Sequence, residues 1–278
     1  MKISTNTNFL DRMVGYEKAV EIIGRVGFDA WDLSLFNLEL DDNPMLCSDY
    51  VKRVKNLRKI GEDFGMTCNQ SHTPFSPKFN QDVFDMQRKA IECTAIAGGE
   101  IAVVHPVNDY SAQQNAELYF KLLPFAKEHG VKIATENMWN WNTEKDIASK
   151  AACSHHLDFK AHIDAVCDPY LVACLDIGHA QMQGLDTSAV LMIESLGNSL
   201  QALHIHDNDC HYDSHALPFT GKIEFESIVK ALKNANYKGY FTMESERHLN
   251  FFTAETAEKG IKEIYLVAKR LADMFENF

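Results

Sequence analysis

Residues 202–215, which read ALHIHDNDCHYDSH, hold four of the twelve histidines of this chain and three carboxylates. Imidazole and carboxylate groups are the usual protein ligands of divalent first-row metals. They follow a short apolar run, which is typical of a buried strand with ligands at its carboxyl end. The stretch therefore predicts a metal site with His206 at the strand exit. His204 points to the same side by strand alternation, and we expect it to support His206 rather than bind metal.

The same pattern recurs after five other apolar runs of the chain. Their ends carry His72, His105, Glu136, Asp176 with His179, and Glu244, while the loop after residue 206 adds Asp213 and His215. A single histidine in such a place is more often a hydrogen-bonded structural residue than a ligand, whereas a lone buried carboxylate is costly to keep charged. Four carboxylates that face one another would repel, so a divalent cation between them is the economical interpretation.

Apolar periodicity predicts eight strands that alternate with helices. The strands are expected at 2–5, 28–33, 66–70, 101–104, 131–135, 171–175, 200–205 and 240–243. Helices are expected at 16–26, 48–64, 81–97, 112–128, 187–196, 225–234 and 254–275, with a less regular helical region at 143–167. Eight strand–helix units are what a (β/α)8 barrel requires. We therefore predict a single α/β TIM barrel domain over residues 1–278, with the polar side chains gathered at the carboxyl ends of its strands.

The composition limits the range of partners. The formal net charge is −12, and this acidic balance disfavours nucleic acid as a partner. No run approaches the length of a membrane span, and the first residues lack the apolar core of a signal peptide. A cytoplasmic protein is therefore expected, and a homo-oligomer is compatible with the sequence. The seven cysteines form no Cys-x-x-Cys pair and are interpreted as free thiols.

Other polar and aromatic residues have two interpretations each. Trp139, in the loop after the fifth strand, either walls a substrate pocket or packs within its loop. Arg247, just after Glu244, either contacts a phosphate or hydroxyl group of a substrate or forms a surface ion pair. The histidines of the region 143–167 are expected to be solvated; they are His155, His156 and His162.

The motifs at the strand ends resemble those of the xylose-isomerase-like TIM barrels, which include sugar and sugar-phosphate isomerases and epimerases and apurinic-site endonucleases. The motifs are Glu136-Asn137, Cys174-Leu175-Asp176-Ile177-Gly178-His179, His204-Ile205-His206-Asp207-Asn208 and Met243-Glu244-Ser245. Resemblance to the ketose 3-epimerase branch implies one divalent ion, Mn²⁺, Co²⁺ or Mg²⁺, with His179 in contact with the substrate. The ligands it implies are Glu136, Asp176, His206 and Glu244.

Resemblance to the endonuclease branch implies three zinc ions instead. The ligands would then be His72, His105, Glu136, Asp176, His179, His206, Asp213, His215 and Glu244. Sugar-isomerase-like members share the Asp-x-His pair at residues 213–215, and their loop usually continues as Pro-Gly-x-Gly-x-Ile. In this chain Phe219 replaces the first of these glycines.

Two reactions follow from these resemblances. The leading hypothesis is a metal-dependent sugar or sugar-phosphate isomerase or epimerase, in which Glu136 and Glu244 remove and return a proton through an enediolate. The rival is a zinc phosphodiesterase that acts at abasic sites in DNA. Such an enzyme needs Arg and Lys along its groove, and the loops after strands two to four offer Lys78 and little else. We therefore expect a small sugar or sugar phosphate as the partner.

Overall fold

The computed structural model describes residues 1–38, 43–75 and 78–278, and eight parallel strands in these ranges form a barrel. The strands are β1 (Ile3–Asn6), β2 (Ala30–Ser34), β3 (Thr67–His72), β4 (Ile101–Val103), β5 (Lys132–Glu136), β6 (Leu171–Asp176), β7 (Leu200–His204) and β8 (Phe241–Met243). Each strand pairs with the next from β1 to β7, and β8 pairs with β1. A bridge between Ile205 and Met243 joins β7 to β8 and closes the ring. The predicted α/β TIM barrel is confirmed.

Helices follow the strands and cover the barrel. The α-helices span Leu10–Val14, Tyr16–Val26, Tyr50–Asp63, Gln81–Ala97, Ala112–Glu128, His156–Val166, Ile177–Ala180, Ala189–Leu196, Phe225–Asn234 and Ala257–Asn277. Short 3₁₀ helices span Pro44–Leu46, Gly197–Ser199 and Glu246–Phe251. Within the described ranges, none of these helices has the length and apolar character that a bilayer span requires.

Alternation along the strands explains why the acidic side chains gather at one end. Small apolar residues of neighbouring strands form a separate cluster, which consists of Val103, Ala134, Val172, Cys174 and Ala202. Two residues beyond these, on the same strand face, come Glu136, Asp176 and His204. The intervening residues, such as Ile133, Leu175 and Leu203, pack in the main core with the helices. Between β4 and β7 the barrel interior is therefore apolar below and polar at the carboxyl ends of the strands. On the side of β1, β3 and β8, the buried polar residues Ser4, Asn69 and Thr242 hydrogen-bond to one another.

The region predicted as helical at 143–167 differs from the prediction. A two-stranded antiparallel hairpin, Asn140–Asn142 with Ile147–Ser149, occupies its beginning, and only His156–Val166 is helical. The turn forms because the side chain of Asn142 accepts hydrogen bonds from the backbone N–H groups of residues 144 and 145. Asp146 takes a φ of +52°, which completes the turn.

Candidate metal centre and active site

Glu136 is the central carboxylate of the site and is 1% exposed. Its Oε1 accepts a hydrogen bond of 2.9 Å from Nδ1 of His204. Its Oε2 lies 3.1 Å from Nε2 of His105 and 3.8 Å from Nε2 of His72. Burial alone would raise the pKa of Glu136, but the charge of His204 and the nearby His105 hold the pKa well below its usual range. Glu136 is therefore an ionised carboxylate among three imidazoles.

Asp176 ends β6 and begins the helix Ile177–Ala180. Its Oδ1 accepts a hydrogen bond of 2.7 Å from the backbone N–H of His179, so the carboxylate is fixed as an N-cap. The same oxygen lies 3.0 Å from Nε2 of His206. Burial would raise the pKa of Asp176, but the charges of His179 and His206 lower it to about 2. The other oxygen, Oδ2, is buried and has no hydrogen-bond partner among the described residues.

His206 is fully buried and packs directly on Gly178. A Cβ atom at Gly178 would lie 1.9 Å from Cε1 of His206, so only glycine leaves room for the ring. On its other side the ring stacks on His215, with centroids 4.1 Å apart and 9° between the planes. Nδ1 lies 3.3 Å from the carbonyl oxygen of Asp207. When Nδ1 donates to this carbonyl, Nε2 carries the lone pair that a metal requires.

Glu244 directly follows β8 and is 6% exposed. Its Oε2 lies 3.3 Å from Nδ1 of His204, and its Oε1 lies 3.7 Å from Nε2 of His72. Burial raises the pKa of Glu244 well above its usual range, and the charges of His204 and His215 do not compensate. Glu136 and Glu244 thus have pKa values shifted in opposite directions within one buried group. Such a divergence is typical of a pair of carboxyl groups that serve as base and acid.

His204 lies beneath the site, but the expectation that it supports His206 is wrong. Its Nδ1 donates to Glu136, and its Nε2 lies 3.1 Å from Nε2 of Gln70 and 3.7 Å from Oδ2 of Asp32. Although burial would lower the pKa of His204, the surrounding acidic groups raise it well above its usual range. Asp32 and Gln70 were not singled out from the sequence. A carboxylate in the predicted strand 28–33 was the signal that could have found Asp32.

Asp213 lies among three imidazoles in the outer part of the site. Its Oδ2 lies 3.2 Å from Nε2 of His179 and 3.3 Å from Nε2 of His215, while its Oδ1 lies 3.5 Å from Nε2 of His206. Against the effect of burial, the charges of His179 and His215 lower the pKa of Asp213 well below its usual range. For His179, burial opposes the charges of Asp176 and Asp213, which raise its pKa to about 10.

Glu246 is a site residue that sequence reasoning missed. Its Oε1 lies 3.3 Å from Nδ1 of His215, and its Oε2 is buried without a hydrogen-bond partner in the described part of the chain. Burial would raise the pKa of Glu246, but the charge of His215 lowers it. Its position two residues after Glu244 was the available signal.

Asn137 joins the ends of β5 and β6. Its side-chain Nδ2 donates to the backbone carbonyl of Asp176, and its Oδ1 accepts from the backbone N–H of the same residue. Nδ1 of His179 donates to the Asn137 carbonyl over 2.8 Å. This contact leaves Nε2 of His179 directed towards Asp213. The Glu-Asn motif therefore supplies both an acidic side chain and the residue that aligns β6.

The donor atoms of the site fit a divalent cation. Candidate ligand atoms within 4.8 Å of one another fall into three groups, which are Glu136, Asp176, His204 and Glu244; His72, Glu136 and His204; and His179, His206, Asp213 and His215. Five buried atoms of these groups make no hydrogen bond of ordinary geometry with the described residues: His72 Nδ1, Glu136 Oε2, Asp176 Oδ2, His206 Nε2 and Asp213 Oδ1. Unpartnered buried polar atoms are costly, and a cation would satisfy them. Nitrogen and oxygen donors suit Mn²⁺, Zn²⁺, Co²⁺ or Mg²⁺.

The structure brings the predicted ligands together in two adjoining layers. Glu136, Asp176 and Glu244 share the inner group, whereas His206 belongs to the outer one and reaches the inner layer through its 3.0 Å approach to Asp176. Of the remaining candidates, His179, Asp213 and His215 form the rest of the outer layer. His72 and His105 lie beside Glu136.

A cavity of about 650 Å³ opens above both layers. Aromatic side chains line part of its wall, and Trp139 is one of them, with its ring centroid 6.4 Å from that of His179. Trp139 also packs against an apolar cluster that includes Met182, so it serves both of the roles considered for it. Arg247 lines the cavity and has no ion pair with any described residue, so the surface ion pair is wrong.

His162 does not lie in solvent, contrary to the prediction. It is 1% exposed, its Nδ1 lies 2.8 Å from the carbonyl oxygen of Asp158, and its Nε2 lies 3.2 Å from the amide of Asn115. It is a satisfied core histidine between two helices. His155 and His156 are half-buried, and His155 accepts a hydrogen bond from the backbone at the start of the helix His156–Val166.

Comparison with known proteins identifies the family. The model of the xylose isomerase-like TIM barrel family matches residues 20–269, so the chain belongs to this family. The uncharacterized protein MJ1311 of Methanocaldococcus jannaschii is 25% identical over 277 residues, which cover 92% of this chain and 87% of that protein.

Solved structures share the fold over nearly the whole chain. A D-tagatose 3-epimerase-like protein superposes with a TM-score of 0.74 at 21% identity, over 100% of this chain and 99% of that one. The D-psicose 3-epimerase of Clostridium cellulolyticum H10, solved with D-tagatose, gives a TM-score of 0.73 at 13% identity, over 98% and 99% of the two chains. At these identities the likeness concerns the fold.

Proposed function

We propose that this protein is a metal-dependent sugar isomerase or epimerase that transfers a proton through an enediolate. The observation that carries the proposal is the pair of buried carboxyl groups Glu136 and Glu244 at the floor of a cavity, among nitrogen and oxygen atoms that suit a divalent cation. A carboxylate accepts a proton and the resulting carboxylic acid can return one, which is what proton transfer at a carbon next to a carbonyl requires. Membership of the xylose isomerase-like family and the epimerase names of the structural neighbours support this choice.

The proposed ligands of the primary ion are the strand-end residues that the resemblance implies. They are Glu136, Asp176, His206 and Glu244. The unpartnered Glu136 Oε2, Asp176 Oδ2 and His206 Nε2 are the atoms that suit this role. A divalent ion held there would polarise the substrate carbonyl and stabilise the negative charge of the enediolate.

The protein groups around the substrate have separate tasks. Glu136 removes the proton from the carbon beside the carbonyl, and Glu244 delivers a proton to the opposite face. His179 lines the cavity with its Nε2 beside Asp213, and this atom would contact a substrate hydroxyl. Trp139 forms an apolar wall that keeps water from the enediolate.

The outer layer offers ligands for additional ions. His179, Asp213 and His215 would hold one of them together with His206, and His72 and His105 would take part beside Glu136. The unpartnered Oδ1 of Asp213 supports this extension. Counting metal ions per chain in protein purified without chelators tests it, because one ion per chain would contradict a multinuclear centre.

Exchange of solvent deuterium into ketoses tests the proposed reaction directly. Metal-loaded protein in D₂O should incorporate deuterium into at least one member of a panel of free and phosphorylated ketoses. Glu136→Gln and Glu244→Gln should each lower this rate by about a hundredfold or more, because each removes one acid or base group. The exposed Glu255→Gln serves as the matched control and should leave the rate unchanged. Lack of exchange with every ketose would overturn the proposal.

A zinc phosphodiesterase is the second candidate, because all nine side chains of the three-zinc pattern lie in the two layers. Against it, the described wall of the cavity carries only two arginine side chains, Arg12 and Arg247, and no lysine. A DNA groove needs more phosphate contacts than this. Nicking of an abasic-site duplex at physiological salt, abolished by Glu136→Ala, would favour this candidate over the isomerase. We accordingly propose a sugar or sugar phosphate as the partner. Separately, we propose the cytoplasm as the location of the protein.

A further inference from the structure

Two arginines line the same side of the cavity. Arg12 belongs to the helix Leu10–Val14 after β1, and Arg247 belongs to the 3₁₀ helix Glu246–Phe251 after β8. Because β1 and β8 are hydrogen-bonded neighbours, these two loops adjoin at the rim of the barrel. Both side chains are exposed to solvent in the cavity mouth.

Neither guanidinium group has a carboxylate within 4.0 Å in the described part of the chain. This separates them from Arg25, Arg53 and Arg58, which form ion pairs with carboxylates on the helix surfaces. Arg12 instead lies over the ring of Phe9, with its Cζ 5.1 Å from the ring centroid. A cation held by an aromatic ring keeps its N–H groups for another partner.

The backbone conformation of Phe9 indicates that the surrounding structure fixes the loop after β1. Phe9 has a φ of +66°, a value that bulky residues rarely adopt, and its side chain lines the cavity beside Arg12. Such strain persists only where the surrounding structure fixes it, and it concentrates at ligand-binding sites. The fixed loop therefore determines the position of Arg12 in the cavity.

The charges of the cavity are divided between its floor and its rim. The acidic groups of the floor, Glu136, Asp213 and Glu244, each lie beside imidazoles, whereas no described carboxylate lies within 4.0 Å of either arginine at the rim. An occupant that matches this distribution has an uncharged, oxygen-rich end at the floor and an anionic end at the β1–β8 side.

We propose, on the basis of the proposed isomerase or epimerase function, that the substrate is an anionic sugar whose phosphate or carboxylate group is bound by Arg12 and Arg247. The planar guanidinium group donates two parallel hydrogen bonds to either anion, which gives orientation as well as affinity. A neutral ketose would offer these guanidinium groups only hydroxyl oxygens, which bind them less strongly than an anion does. The anionic group thus selects the substrate and sets which carbon faces Glu136.

Binding of sugar alcohols and a sugar acid, which lack the ketose carbonyl group, tests this inference without turnover. Calorimetry on the metal-loaded protein would compare D-glucitol 6-phosphate and D-gluconate with neutral D-glucitol. We expect at least one of the two anions to bind ten times more tightly than D-glucitol, and the tighter one identifies the anionic group. Arg12→Gln and Arg247→Gln should each weaken its binding by about ten- to a hundredfold, because each removes a charge-assisted contact. Arg58→Gln, on a helix surface, is the matched control and should bind it like the wild type.

Three results would overturn the anionic-substrate inference: equal binding of D-glucitol, no measurable binding of either anion, or unchanged anion binding in both arginine variants. The last result would mean that the metal centre, and not the rim, holds the anion. These results are independent of the deuterium-exchange assay. Anion binding through the arginines together with no exchange into any ketose would overturn only the proposed reaction.

Discussion

Gly178→Ala is expected to disrupt the metal centre through a single added methyl group. Gly178 lies in the short helix that follows Asp176, and the ring of His206 rests directly on it. The added Cβ would lie 1.9 Å from Cε1 of His206, and 2.4 Å from each ring nitrogen. Because ordinary contact begins near 3.4 Å, the ring would have to move by about 1.5 Å.

The ring of His206 has no free space for such a movement. It is fully buried and stacks on His215 at 4.1 Å, so the displacement would also shift the outer layer. Overpacking of this kind destabilises a protein by about 1–3 kcal/mol. Loss of ligand alignment lowers metal affinity by about ten- to a hundredfold. We therefore expect Gly178→Ala to lower both the free energy of unfolding and the affinity for Zn²⁺ or Co²⁺.

Competition with a chelator measures the metal affinity, and urea denaturation of the metal-free protein measures the stability. Gly24→Ala is the matched control, because its Cβ would meet Cγ and Cβ of Phe64 at 2.6 and 2.7 Å. Gly24 lies in the helix Tyr16–Val26, which carries none of the candidate ligands, so this control should lower the stability and leave the metal affinity unchanged.

A double-mutant cycle separates the proposed cause from a general loss of folding. Without the imidazole, the methyl group has room, so Gly178→Ala should cost little in a His206→Ala background. The coupling energy should then be about 1–3 kcal/mol. Wild-type metal affinity in Gly178→Ala, or the same destabilisation with and without the imidazole, would refute this reasoning.

Three further changes test features that surround the site. Phe219 has a φ of +70°, so Phe219→Gly should be more stable than Phe219→Ala by about 1 kcal/mol in urea denaturation, the reverse of the usual order. Burial raises the pKa of Asp11 to about 7, so its contribution to stability is largest below pH 4 and is lost as the pH rises towards 7. Asp11→Asn should therefore be more stable than the wild type at pH 8, and this difference should shrink at pH 4. Asn137→Leu leaves the backbone N–H and C=O of Asp176 without their partner, so it should lower the free energy of unfolding by about 2 kcal/mol.

Much of the barrel could be predicted from the sequence, because its strands and helices have clear apolar periods. The helices Tyr16–Val26, Gln81–Ala97, Ala112–Glu128 and Phe225–Asn234 end where the pattern predicts. The hairpin at 140–149 could not be predicted in this way, since its short strands carry no apolar alternation. Its turn depends on the side-chain hydrogen bonds of Asn142, and this turn forms where the sequence predicts the start of a helical region.

The ligand-bearing strand ends could be predicted for the same reason, but the contacts between side chains could not. Strand alternation correctly places His204 and His206 in the barrel interior. It does not give the depth of each strand in the barrel, and this depth decides that His204 meets Glu136 and not His206. Arg12 and Glu246 were missed because single charged residues in the short segments after the strands have no pattern of their own.

Strained backbone conformations occur in the loops that build the site, and they could not be predicted from the sequence. Of the nine described residues other than glycine that have positive φ values, four lie in the loops after β1 and β7: Phe9, Cys210, His215 and Phe219. These are residue types for which such a backbone costs energy, so packing must hold them there. Phe219 shows how: its ring packs against Phe225, and the guanidinium of Arg270 lies 3.7 Å from its centroid. Phe219 thus keeps the conformation expected of the glycine it replaces, which explains how the loop after β7 still presents Asp213 and His215 to the cavity.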